Sequence, residues 1–184
     1  MRVISGTYGG RRLKAVPGNQ TRPTTDKVKE ALFSMIGPYF DGGQVLDLFA
    51  GTGGLGIEAV SRGCDAAVLV DKQRQAQAVI NENIAITKEA EKFRLLKSSA
   101  QTALGTLATE NRQFNYVFLD PPYRFKIIQQ LLEKLADLSL LADDAHIIVE
   151  TEKEDDIALP EHFELLKRHD YGITKISVYQ YHKG

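Results

Sequence analysis

The sequence predicts an α/β protein whose mostly parallel sheet is covered by helices on both faces. Three observations carry this. From Gln44 onward, short apolar runs alternate with helical patterns, the texture of repeated βαβ units. A glycine loop, Gly51-Thr52-Gly53-Gly54-Leu55-Gly56, follows the first such run and opens a helix. A later run, Tyr116-Val117-Phe118-Leu119, ends in Asp120-Pro121-Pro122-Tyr123. Open α/β sheets place their ligands there, beyond the carboxyl ends of the strands.

Taken in order, residues 2–16 read as two short strands around Gly9-Gly10, with Arg11 and Arg12 just past the turn. Pro17 to Thr25 is polar and marked by glycine and proline, hence a loop. Thr25 or Asp26 caps a helix whose apolar face is Val28, Ala31, Leu32, Met35 and Ile36, and Gly37-Pro38 stops it. Val45 to Phe49 is a strand, and the helix after it runs through Leu55, Ala59 and Val60. Ala66 to Val70 is the next strand, followed by a helix from Arg74 to Ile86. Phe93 to Leu96, Tyr116 to Leu119 and His146 to Val149 are further strands, with helices near Ala100–Ala108 and Ile127–Leu138. The end differs: Phe163 to Lys167 and Lys175 to Tyr181, separated by Tyr171-Gly172, read as an antiparallel hairpin closing the sheet. The pattern holds no internal repeat. It reads as one domain, residues 26–184, behind a basic N-terminal extension, residues 1–25.

At 184 residues the chain is long enough to bury a proper core, and its 43% hydrophobic and 26% charged composition is ordinary for a globular protein. One cysteine, Cys64, excludes an internal disulfide. The start lacks a signal-peptide apolar core and no run reaches membrane-spanning length, so a cytoplasmic location is expected. The net charge of −1 argues against a bulk nucleic-acid binder, but its distribution is uneven. Residues 1–30 carry seven basic against two acidic residues, a balance of +5 that leaves −6 for the rest. A basic front on an acidic body fits local contact with phosphates.

Three constellations carry chemistry. In the first, Gly51, Gly53 and Gly56 fit G-x-G-x-x-G between strand and helix, so a ligand can approach the backbone closely. Asp71 ends the next strand, where a carboxylate accepts ribose hydroxyls. Asp47, four residues before Gly51, aims a negative charge at the mouth of the loop. That is awkward for a pyrophosphate and welcome for an ammonium group, as in S-adenosylmethionine. The second constellation is Asp120-Pro121-Pro122-Tyr123. Each proline holds the residue before it extended, so the Asp120 carboxylate and main-chain carbonyls become rigid acceptors beside an aromatic ring. Such acceptors suit a planar heterocycle with an exocyclic amino group. The third is Thr21 to Asp26, a capped helix start in which Arg22 is a phosphate-binding candidate. The histidines His146, His162, His169 and His182 are scattered and imply no metal. Cys64 lacks the context of a pyrimidine-methylating nucleophile. The acidic run from Glu150 to Asp156 reads as a solvated loop.

Asp47 to Gly56 resembles the cofactor loop of class I S-adenosylmethionine-dependent methyltransferases, and Asp120-Pro121-Pro122-Tyr123 resembles their amino-methylating signature. The N-terminal stretches Ile4-Ser5-Gly6, Gly10-Arg11-Arg12-Leu13, Arg22-Pro23-Thr24-Thr25-Asp26 and Glu30-Ala31-Leu32-Phe33 resemble the bacterial RsmD-like family, which methylates a guanine N2 in small-subunit (16S) ribosomal RNA. The resemblance implies a doubly wound, Rossmann-like sheet of seven strands, the last antiparallel, fronted by a small N-terminal β-hairpin. It implies that Asp47, Phe49, Ala50, Gly51, Thr52 and Gly53 hold the methionine half of S-adenosylmethionine, and Asp71 its ribose. Ser99 stands where relatives carry Asp or Asn beside the adenine and would serve through its hydroxyl. Asp120, Pro121, Pro122 and Tyr123 would present the base, while Arg11, Arg12, Arg22 and Tyr123 would contact RNA. The implied partner is small-subunit ribosomal RNA, either naked or within a 30S subunit or assembly intermediate, met by a monomer without metal or membrane.

The residues leave other readings open. An adenine-N6 methyltransferase uses the same Asp-Pro-Pro-Tyr chemistry, although no block here is long enough for a separate target-recognition region. A nicotinamide-dependent oxidoreductase explains the glycine loop and Asp71, yet leaves Asp47 and the Asp120 turn without roles. A non-catalytic RNA-binding module explains only the basic front.

Overall fold

In a computed structural model, described for residues 1–18, 25–121, 125–152 and 157–184, seven strands form one sheet in the order β3-β2-β1-β4-β5-β7-β6. The strands are β1 (Gln44–Asp47), β2 (Ala66–Val70), β3 (Phe93–Leu96), β4 (Phe114–Leu119), β5 (Leu141–Glu152), β6 (Phe163–Tyr171) and β7 (Thr174–Tyr181). Strands β1 to β5 run parallel, and β7 is inserted antiparallel between β5 and β6. This is the doubly wound, seven-stranded sheet with an antiparallel last strand expected from the sequence. The helices are α1 (Asp26–Ile36), α2 (Gly54–Ser61), α3 (Arg74–Thr87), α4 (Ala100–Thr109) and α5 (Phe125–Asp137).

Strand alternation divides the core into two layers. Leu46, Val68, Val117, Leu119, Ile147 and Val149 face α4 and α5, where Leu104, Leu107, Leu131 and Leu135 cover them. Val45, Leu69, Phe118 and Ile148 face the other way, against Phe33 of α1, Ile57 of α2 and Ile80 of α3. The N-terminal segment packs into this second layer through Val3, Tyr8 and Leu13.

That segment is less regular than two strands. Among its described residues a bridge joins Arg2 and Arg12, supported by hydrogen bonds from Val3 N to Arg11 O and from Gly10 N to Val3 O. The intervening residues instead bond to α2: Thr7 N to Ser61 O, and Tyr8 N to Ser61 Oγ. The hairpin thus pairs residues 1–3 with residues 10–13, while Thr7 and Tyr8 of its turn dock on α2.

The acidic run is also different from expectation. Glu150 to Glu152 continue β5, paired with Ile176, Lys175 and Thr174 of β7. Residues 153–156, like 19–24 and 122–124, lie outside the described residues.

Candidate active site

The site collects at the carboxyl ends of β1, β2 and β4. Asp47, the last residue of β1, is buried at 2% exposure, and its Oδ1 accepts one hydrogen bond, from Phe49 N at 3.3 Å. Burial pushes its carboxyl up to about 7 against that hydrogen bond, and the Asp71 charge adds to the rise. A carboxylate so placed is stabilised by a cation delivered to it.

The chain then turns through the glycine loop. Gly53 N donates to Ala50 O at 2.8 Å, and Gly54 N to Thr52 Oγ1 at 3.1 Å. Gly51 and Gly53 have φ of +60° and +81°, the left-handed region that favours glycine. A Cβ on Gly51 would project into open space, so its absence leaves room for a ligand against the main chain. Gly53 caps α2 in that conformation, while Ala50 is buried and Phe49 packs partly against the α4–α5 layer.

Asp71 follows β2 and braces the loop. Its Oδ2 accepts from Gly51 N at 3.0 Å, and its Oδ1 from Gln73 N at 2.9 Å. The fit to S-adenosylmethionine is therefore specific in kind. Asp47 would supply a buried carboxylate for the ammonium, Gly51 an open main-chain cradle, and Asp71 a carboxylate at the next strand end for ribose hydroxyls.

Asp120 follows β4. Because Leu119 pairs with Val149 across β4 and β5, Asp120 and Glu150 take the next positions on neighbouring strands. They share parity with Phe118 and Ile148, as Asp47 does with Val45, so three carboxylates belong to one sheet face. Burial, then the charges of Glu150 and Asp47, push Asp120 up to about 8. Glu150 is the functional candidate that sequence reasoning missed, because an acidic run gives no sign that its first residue still belongs to a strand. Pro121 is half-buried beside Asp120, whereas Pro122, Tyr123 and Arg22 lie outside the described residues.

Two further candidates have structural employment. The Ser99 hydroxyl caps α4, accepting from Thr102 N at 3.2 Å and bonding Thr102 Oγ1 at 3.1 Å. Arg11 lies at the far end of the sheet, because α3 leaves β2 at the site and ends where β3 begins. There its Nη1 donates to Thr87 O at 2.8 Å and Ile86 O at 3.2 Å, with the guanidinium over the Tyr8 ring. Elsewhere in the basic front, Arg2 pairs with Asp26, Lys14 with Glu82 and buried Lys29 with Glu58, while Arg12 and Lys27 are exposed.

His182 bonds Asp144 at 3.1 Å and Glu164 at 2.8 Å, and with Asp143 forms an exposed ionic cluster at the chain end.

Residues 1–180 match the model of the family described as "Conserved hypothetical protein 95". The chain is 43% identical over 183 residues to "Putative rRNA methyltransferase YlbH" of Bacillus subtilis, covering 98% of each chain. It is 35% identical over 181 residues to "Ribosomal RNA small subunit methyltransferase D" of Escherichia coli, covering 98% of this chain and 89% of that one. A solved structure, "Putative methyltransferase yhhF from Escherichia coli", matches with a TM-score of 0.85 at 36% identity, covering 100% of this chain and 99% of that chain. The chain belongs to the Conserved hypothetical protein 95 family, the RsmD-like family whose motifs it carries from Ile4 to Tyr123.

Proposed function

We propose that this protein transfers a methyl group from S-adenosylmethionine to the exocyclic N2 amino group of a guanine in small-subunit ribosomal RNA. The observation that carries the reading is the pairing of two acidic strand ends on one face. Asp47 stands beside the glycine loop, and Asp120 follows the neighbouring strand, just before Pro121 and Pro122 in the sequence. The names of the similar proteins support the RNA as substrate, and the Asp120 turn supports an amino group as acceptor.

When bound, S-adenosylmethionine supplies an electrophilic methyl group on a positively charged sulfur, which departs as a neutral thioether. Asp47 would hold the ammonium and Asp71 the ribose. Guanine N2 is a poor nucleophile because its lone pair is delocalised into the ring. The Asp120 carboxylate and the Pro121 carbonyl accept its two N–H groups and draw the nitrogen toward tetrahedral geometry. The same acceptors stabilise positive charge that grows on N2 as its bond to carbon forms. One proton then leaves N2 for Asp120 or for water. Holding the partners aligned for in-line attack can be worth roughly 7–11 kcal/mol. Tyr123, next in the chain after Pro122, stacks on the base, and the guanine must be unpaired or flipped out to enter.

The reading is tested by single-turnover transfer of labelled methyl to ribosomal RNA from cells lacking the protein, followed by mapping of the labelled base. Label on a guanine N2 is expected, and Asp120→Ala should lower the rate by about a hundredfold or more while S-adenosylhomocysteine still binds. Label on adenine N6, or near-normal turnover by folded Asp120→Ala, would overturn it.

A further inference from the structure

Asn83 sits in the second half of α3 and is fully buried, at 0% exposure, on a face shared with Ala76, Val79, Ile80, Ile84 and Thr87. An amide in such a layer is unfavourable unless its hydrogen bonds are made. They are made, and to two separate segments. Its Oδ1 accepts from Lys14 N at 2.7 Å, and its Nδ2 donates to Lys14 O at 3.0 Å and to Thr52 O at 2.8 Å. Lys14 belongs to the N-terminal segment and Thr52 to the glycine loop. Neither lies in a helix or strand, so neither has a ladder to hold it. Two contacts reinforce the tie: Thr52 Oγ1 reaches Met1 Sδ at 3.7 Å, and Leu13 N donates to Met1 O at 3.0 Å.

We propose that Asn83 is a positioning residue that couples the two halves of the site, so that RNA held by the N-terminal segment and cofactor held by the glycine loop strengthen each other's binding. The inference rests on the proposed function, in which exposed Arg12 and its neighbours meet RNA. Each ligand orders one of the segments that share this amide, which leaves less ordering for the other ligand to impose. Reciprocity follows, because a binding free energy shared between two sites acts equally in both directions.

The Lys14 amide hydrogen, donated to Asn83, is a direct reporter in the intact wild-type protein. Adding S-adenosylhomocysteine should slow its exchange with deuterium by about fivefold, although the ligand's own contacts lie at the glycine loop. In calorimetric titration, saturating small-subunit ribosomal RNA should lower the dissociation constant of S-adenosylhomocysteine by about fivefold. Asn83→Asp keeps the acceptor for Lys14 N and removes both donors. It should bring that ratio close to one while each ligand still binds alone, whereas a merely structural role would weaken both bindings and leave the ratio unchanged. An unchanged ratio in folded Asn83→Asp, or an unmoved Lys14 exchange rate in the wild type, overturns the coupling. Should the variant fail to fold, the wild-type exchange measurement decides. If wild-type protein binds S-adenosylhomocysteine and methylates RNA without any such ratio, only the coupling falls. If it does neither, the proposed function falls first.

Discussion

Asp47, Asp120 and Glu150 belong to one face of the sheet, where burial and like charge favour a proton or a bound cation on Asp47 and Asp120. Asp47 is pushed up to about 7 and Asp120 to about 8, so both bind protons in the ligand-free protein that the unfolded chain would release near pH 4. A carboxyl raised on folding stabilises most below its unfolded value, and the benefit is lost as pH rises through the folded one. Unfolding measurements should therefore show the free protein losing stability between about pH 4 and 8, and Asp47→Asn should flatten the fall. Affinity for S-adenosylhomocysteine should run the other way, because its ammonium needs an ionised Asp47. Below neutrality it should gain up to about tenfold per pH unit, as read by calorimetry, and Asp47→Asn should lose both affinity and slope. Glu150 tests the chemistry separately. Removing its charge makes Asp120 easier to ionise, so Glu150→Gln should move the acid limb of the methylation rate to lower pH, on the order of one unit. An unmoved limb would mean that Glu150 does not act on Asp120.

The strands and helices were largely legible because their periodicities are strong. The run from Tyr116 to Leu119 reads as a buried strand, and the face Val28, Ala31, Leu32, Met35 and Ile36 as one side of a helix; Phe33, also buried in α1, is not part of that reading. Ends were harder. Glu150 to Glu152 read as loop because charge, locally, argues for solvent, whereas pairing with β7 holds them in β5. Ser99 is a cofactor candidate by its place in the chain, and the structure adds that its hydroxyl caps α4. Ser99→Ala should lower stability by about 1 kcal/mol in urea denaturation, the usual loss for such a cap. The cluster around Glu58 was invisible in sequence, because its partners are far apart. Glu58, at 0% exposure, accepts from Ile4 N at 2.8 Å, Ser5 N at 3.1 Å, Arg62 Nε at 2.8 Å and Lys29 Nζ at 3.2 Å. One carboxylate thus fastens the N-terminal segment to α1 and α2. Glu58→Ala strands two buried cations and should cost roughly 3–5 kcal/mol of unfolding free energy.

The molecule as a whole places chemistry at one end of its sheet and anchors its N-terminal segment at the other. Tyr8 and Arg11 are fastened near the end of α3, the chain climbs past Arg12 to Lys14, and there it meets the glycine loop through Asn83. A basic front read from composition treats Arg11 and Arg12 as equivalent; their positions separate them. Arg11 neutralises the carbonyl end of α3, where helix partial charge is negative, so its guanidinium is an internal clamp. Arg12 is exposed beside it in sequence and free to meet a phosphate. Arg12→Glu should weaken RNA binding and reduce the slope of log K against log salt by about one, with stability close to unchanged. Arg11→Glu should lower stability by about 1–2 kcal/mol, since it removes two hydrogen bonds and sets a negative charge on a negative helix end. It should leave the salt slope as it was. Filter binding across about 50–200 mM salt, with urea denaturation of the same variants, separates the two roles. Were Arg11→Glu to flatten the slope and leave stability untouched, the RNA would have to reach the far end of α3, and the path from Arg12 to the glycine loop would not be its track.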